Sequence, residues 1–139
     1  LNKYEGKPEI IIMMGYPASG KSTIAMDICI NPDYIHIQGD VYKTSSKMIK
    51  VSKEFMALGK SVVFDATNSS VKKRKEYIDH ATKLNYSVRC IHCMTPLDIS
   101  YKRNRCREDK KQVPKIAYSV YTKYYEPPTE VEGFELITL

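Results

Sequence analysis

EIIIMMGYPASGKS, Glu9 to Ser22, opens as a run of β-prone apolar residues, stops at a glycine turn and becomes polar and basic. Its second half fits G-x-x-x-x-G-K-[ST], a pattern that average composition produces by accident in about one chain of this size in a few hundred. Beyond it Ile24, Ala25, Ile28 and Cys29 recur at helical spacing, so the order is strand, loop, helix. A loop so placed aims several backbone N–H groups and the positive end of a helix dipole at one point, and its glycines let the chain close on phosphate oxygens. Lys21 would reach β- and γ-phosphates, and the Ser22 hydroxyl would ligate Mg²⁺. The plain alternative is a glycine turn bearing a surface lysine.

The same cycle continues along the chain. Asn31, Pro32 and Asp33 break the first helix, expected over 21–30, and Tyr34 to Gln38 reads as a second strand. A helix is expected from Thr44 to Leu58, closed by Gly59, then a third strand over 61–64. Val71 to Leu84 reads as a helix with Val71, Tyr77, Ile78, Ala81 and Leu84 inward, and Tyr86 to Met94 as a fourth strand. Thr95-Pro96 should start another helix, with Thr95 as cap and Asp98 completing a capping box. A polar unpatterned stretch over 108–113 precedes a Tyr-rich helix from Pro114 to about Tyr125, and 133–139 is a last strand. Strands alternating with helices imply right-handed crossovers and a parallel sheet covered on both faces, the α/β class.

A chain of 139 residues fits one domain, 1–139, with a radius of about 14 Å and a real core. The longest apolar run, Ile10 to Met14, is far below the roughly 20 residues a membrane span needs, and no secretory pattern opens the chain. A protein that stays inside the cell, in nucleus or cytoplasm and off the membrane, is expected. Leu1 stands where Met would begin a complete chain, so an excised piece is expected. Lys and Arg outnumber Asp and Glu 22 to 16, and the excess favours an anionic partner. It gathers in Lys72 to Lys75 and between Lys102 and Lys111, while the charges after Lys123 are all acidic. A solvated helix face is the plain alternative for each cluster. Cys90 and Cys93 form one C-x-x-C on a strand, whose alternation sends the thiols to opposite faces and makes shared metal or redox chemistry a poor reading.

In a parallel sheet ligands bind outside the carboxyl ends of the strands, and two acids fall there. Asp65 ends the apolar strand Val62-Val63-Phe64, an arrangement that supports Mg²⁺ in phosphate-transferring folds. Asp40, after the second strand, is then free to receive the proton of an attacking hydroxyl. With an ordinary pKa of about 3.9 it could not strip an alcohol outright, so positioning would be most of its task. Arg103 and Arg107 stand at i, i+4 and could carry charge over a triphosphate on a mobile flap, whereas Arg105 points elsewhere. Arg74 lies on the apolar stripe of its helix, either aimed at phosphate or held in a surface salt bridge. Tyr118, Tyr121, Tyr124 and Tyr125 recur at helical spacing and read as core before they read as a base-stacking platform.

In order and spacing, GYPASGKST, YIHIQGD, ALGKSVVFDATN, KRNRCRE and EPPTEVEGF resemble the kinase domain of the bifunctional polynucleotide kinase/phosphatase family over nearly the whole chain. The resemblance implies a P-loop NTPase of adenylate-kinase-like type, with about five strands, moving the γ-phosphate of ATP to a 5′-hydroxyl end of DNA or RNA. It puts the nucleotide loop on Gly15, Tyr16, Pro17, Ala18, Ser19, Gly20, Lys21, Ser22 and Thr23. It also puts the general base on Asp40, the DxTN acid on Asp65 with Thr67 and Asn68 following and Asn68 expected to contact the substrate, and a lid arginine on Arg107 with Arg103 or Arg105 as a second. Many relatives carry Arg just before the base where this chain has Gly39, so that cationic contact to the acceptor is either lost or supplied by Lys43. No D-x-D-x-T phosphatase signature occurs in the sequence, so a phosphatase domain would belong to a part outside this chain. A small-metabolite kinase and an inactive phosphate-binding module are the competing readings.

Overall fold

The computed structural model describes residues 7–139. Residues 1–6, including Leu1 and the first residues of the domain expected over 1–139, lie outside the described residues. Five strands form one sheet in the order β2-β3-β1-β4-β5, and all four pairings are parallel. They are β1 (Glu9–Met14), β2 (Tyr34–Gln38), β3 (Ser61–Asp65), β4 (Ser87–His92) and β5 (Glu135–Thr138). The connecting helices are α1 (Lys21–Ile28), α2 (Gly39–Tyr42), α3 (Ser45–Ala57), α4 (Val71–Leu84), α5 (Leu97–Arg105) and α6 (Lys115–Tyr124). The α/β parallel class expected from the alternation is the observed one. No helix among the described residues is long and apolar enough to cross a membrane.

β1 runs through the middle, and every one of its residues is buried, because helices cover both faces of a parallel sheet. Alternation divides it: Ile10, Ile12 and Met14 pack with Phe64, Met48 and Met56 of α3, and Tyr77 and Ala81 of α4. Ile11 and Met13 meet Val63, Ile91 and Ala25 of α1 on the other face. Cys90 joins the first cluster and Cys93 the second, so the two thiols do face apart. All four cysteines are free, and burial pushes the Cys90 thiol up to about 12.

Caps fix where the helices start. The Thr44 and Ser70 hydroxyls accept from the backbone N–H of Lys47 and Lys73, which sets the first turns of α3 and α4 at the carboxyl end of the sheet. Thr95 does not cap α5. The N-cap is Pro96, without a side-chain bond, and Thr95 Oγ1 donates to Ser19 O at 2.7 Å, joining the end of β4 to the glycine loop. Leu84 does not point inward either: it is 45% exposed and lines a groove between α3 and α4. The four-residue α2 was not expected, and neither were the slightly earlier ends of α1 and β4.

The opposite end of the sheet is held by charge. Glu9 is fully buried, and the Arg89 guanidinium grips it at 2.6 and 2.7 Å while the Tyr34 hydroxyl donates to the same carboxylate. Nothing in the alternation of β1 marked Glu9 as an inward acid. Removing one partner of such a pair leaves an uncompensated charge in the core. Arg89→Met is therefore expected to lose about 3–5 kcal/mol in urea unfolding; a loss below about 1 kcal/mol would assign the pair no structural weight.

Candidate active site

The carboxyl ends of β1, β2 and β3 open into a cleft of about 470 Å³. Its floor is the glycine loop. Gly15 sits at φ +153°, and a Cβ there would come within 2.7 Å of Ser19 Oγ and 2.9 Å of the Cys93 carbonyl, so no larger residue closes the turn. Gly20, at φ +104°, leads into α1, whose first turn has no side-chain cap and no acid. Its leading N–H groups are thus left to an anion. Ala18 holds φ +61°, which costs a non-glycine residue about 1 kcal/mol, beside the bond from Ser19 N to Tyr16 O.

Lys21 is 7% exposed and donates from Nζ to Tyr16 O at 2.9 Å. Burial pulls its pKa below the ordinary lysine value, Arg107 adds to that, and Asp65, Cys93 and Asp40 oppose it. Ser22 Oγ donates to Asp65 Oδ2 at 2.8 Å, and His36 Nε2 lies 2.8 Å from the same oxygen. Burial alone would raise the Asp65 pKa. The His36 hydrogen bond, the Lys21 charge and the Ser22 hydrogen bond together hold it below the usual carboxylate value. Asp40 is exposed on α2 and lines the same cleft, as do Gln38, Ala66 and Thr67. Arg103, Arg107, Val113 and Ala117 complete the lining.

Of the residues singled out in the sequence, the cleft gathers Pro17, Ala18, Gly20, Lys21, Ser22, Thr23, Asp40, Asp65, Arg103 and Arg107. Gly15, Tyr16 and Ser19 belong to the loop without lining the cleft. Arg105 is exposed outside the cleft, and so is Lys43, which ends α2 at φ +71°. Two substrate contacts are corrected. Asn68 is 3% exposed and turned away from the cleft, its Nδ2 donating to Met13 O at 2.7 Å. Arg74 is fully buried: it forks onto Glu132 at 2.9 and 3.1 Å and donates to the carbonyls of Asn68 and Glu126 at 3.0 Å. With its donors consumed by the fold, it reaches neither a phosphate nor the surface, the two readings its helical position allowed.

The Tyr-rich helix divides. Tyr118 and Tyr121 are buried, whereas Tyr124 is 53% exposed and Tyr125 37%. Tyr118 OH donates to Pro17 O at 2.7 Å and Tyr121 packs on the Tyr16 ring 4.2 Å away, so α6 braces the glycine loop. The stretch over 108–113 is pinned at its base: Asn104 Nδ2 donates to Val113 O and its Oδ1 accepts from Val113 N, each at 2.8 Å. Sequence reading missed His36, Gln38 and Asn104. Only the register of β2 on β3, which sets Gln38 opposite Asp65, could have pointed to the first two.

Comparison with known proteins gives the chain's family. Residues 43–128 match the model of the AAA_33 family, an AAA domain. The chain belongs to that family. It is 36% identical over 129 residues to a bifunctional polynucleotide phosphatase/kinase of Schizosaccharomyces pombe, covering 91% of this chain and 32% of that protein. A putative bifunctional polynucleotide phosphatase/kinase of Acanthamoeba polyphaga mimivirus is 36% identical over 146 residues, covering 99% and 35%. The chain thus spans about a third of the length of these relatives. Among solved structures, Chaetomium thermophilum Kti12 in complex with ADP-AlF3 superposes with a TM-score of 0.77 at 15% identity, covering 94% of this chain and 88% of that one. At that identity the likeness is one of fold.

The contacts on Asp65 carry a pH signature. In a carboxyl-carbon NMR titration Asp65 should titrate below about 3.9, and Lys21→Met should raise its midpoint. Its stabilising contribution is complete above the unfolded-state value and is lost as pH falls through the lower folded one. A wild-type midpoint at or above about 3.9 would remove the charge assignment of this cleft.

Proposed function

We propose that this chain is an ATP-dependent polynucleotide 5′-hydroxyl kinase domain, transferring the γ-phosphate of ATP to the 5′-OH end of DNA or RNA in the repair of broken ends. The observation that carries the reading is the cleft itself: Lys21, the Ser22–Asp65 pair, Asp40, Arg103 and Arg107 converge on one 470 Å³ space. The polynucleotide acceptor is supported by the 36% identity to proteins named polynucleotide phosphatase/kinases. Any phosphatase activity belongs to sequence beyond this chain. ATP and nucleic acid as reactants place the work inside the cell, in nucleus or cytoplasm.

The backbone N–H groups of the loop and the Lys21 ammonium hold the donor phosphates. The hard oxygen donors of Ser22 and Asp65 fit Mg²⁺ and would hold it beside the donor phosphates. When bound, that ion neutralises charge on the β- and γ-oxygens. Asp40 lines up the acceptor hydroxyl and takes its proton as the new P–O bond forms and the bond to the β-phosphate breaks, leaving ADP. Arg107, seconded by Arg103, stabilises charge on the transferring group. Arg105 supplies no contact in this reading.

Labelled ATP offered with 5′-OH oligonucleotides and with a panel of sugars and nucleosides tests the proposal: label should enter the oligonucleotides, and transfer confined to a small acceptor would overturn it. Asp40→Asn should lower turnover by about 10²- to 10⁴-fold with ATP affinity little changed, whereas retained turnover would remove Asp40 from the role of base.

A further inference from the structure

We propose that Lys47, Lys72 and Lys73 form a phosphate track that carries the acceptor strand away from the cleft. The inference rests on the polynucleotide reading above and deepens it by naming the path of the nucleic acid. All three lysines are exposed, and they stand in the first turns of α3 and α4. Both helices begin at the carboxyl end of the sheet, on the side of the cleft that holds Asp40. Local physics disfavours cations there: a helix N-terminus is already positive, neither first turn contains an acid, and three positive side chains crowd the same end.

No ion pair relieves them among the described residues. Lys75, two positions beyond Lys73, is paired with Asp79 at 2.9 Å, and Lys60 with Asp33 at 3.7 Å, so acids do reach neighbouring lysines elsewhere on the chain. The two helix starts are fastened together, because the Ser45 hydroxyl donates to Glu76 in the second turn of α4. Lys72 is four residues before Glu76 and Lys73 three, on the side of α4 that meets α3. The two helix starts therefore present Lys47, Lys72 and Lys73 together at the end of the sheet where α2 carries Asp40, with Glu76 the acid that joins them.

The far limit of the track is also set. Below the first turns the groove between α3 and α4 is lined by Glu76 and Asp79 together with Lys53 and Lys83, a mixed surface that gives a polyanion no net attraction. A strand held by these lysines therefore meets protein over its first few phosphates and then leaves. A single-stranded 5′-OH end fits such a footprint, since each lysine can release the counterion of one phosphate.

The test uses the whole chain and a variant with Lys47→Gln, Lys72→Gln and Lys73→Gln. A control removes the same charge elsewhere with Lys53→Gln, Lys60→Gln and Lys83→Gln. Acceptors are a single-stranded 12-nucleotide 5′-OH oligonucleotide and a nucleoside 3′-phosphate. The track predicts that KM for the oligonucleotide rises about tenfold in the first variant, and that the slope of log affinity against log salt becomes shallower by about 2. The control should alter both by much less, and KM for the nucleoside 3′-phosphate should be the same in all three proteins. Equal KM values and salt slopes for the oligonucleotide in variant and control would overturn the track while leaving the kinase reading intact. Absence of transfer from the wild type to any oligonucleotide would overturn the polynucleotide reading and the track with it.

Discussion

A lysine ammonium almost out of reach of water is the constraint around which this molecule is organised. Lys21 is 7% exposed, and desolvation works against its charge. What holds the charge in place is local: the Tyr16 carbonyl at 2.9 Å and the carboxylates of Asp65 and Asp40. Asp65 is in turn kept ionised by Lys21, His36 and Ser22. Neither member of this set is stable alone in so buried a place, because an isolated charge there would neutralise or draw in water. The set is therefore pre-formed by its own mutual contacts, with its charges aimed at one cleft.

Pre-forming such a cluster requires that the loop carrying it cannot shift. Four attachments from distant parts of the chain see to this. Gly15 N donates to Thr67 O, Thr95 Oγ1 to Ser19 O, Tyr118 OH to Pro17 O, and Asn68 Nδ2 fastens the turn after β3 to the end of β1. Arg74 locks that turn to the C-terminal segment through Glu132 and Glu126. The residues that look most chemical after the loop, Asn68 and Arg74, belong to this framework. In the proposed reading the transfer itself falls to Asp40, Arg103 and Arg107, whose side chains make no hydrogen bond or ion pair to the fold among the described residues.

How much of this is legible in sequence follows from the range of the interactions. The strand–loop–helix start at Glu9–Ser22 and the delivery of Asp65 by an apolar strand depend on neighbours in the chain, and the motif with its alternation was enough to find them. Arg103 and Arg107 do both line the cleft with Arg105 outside, but α5 ends at Arg105, so Arg107 is carried there by a turn in which its N–H donates to Asn104 O and not by the shared helical face that the i, i+4 spacing implied. Arg74 is different: helical spacing marked it as inward, but its partner Glu132 is 58 residues away and carries no signal of its own. The same holds for Glu9 and Arg89, 80 residues apart, and for His36 beside Asp65. Thr95 had the right neighbours for a cap and was drawn instead to the Ser19 carbonyl, a tertiary bond overriding a local preference.

The account stands on a glycine loop and its lysine meeting donor phosphates, and amide NMR during titration with magnesium and a non-hydrolysable ATP analogue tests this most directly. Large, saturable shifts should be confined to residues 16–23 and to those around Asp65 and Arg107, with the α3–α4 groove near His80 unmoved. Shifts centred on that groove, or a loop that stays silent while the nucleotide binds elsewhere, would contradict it.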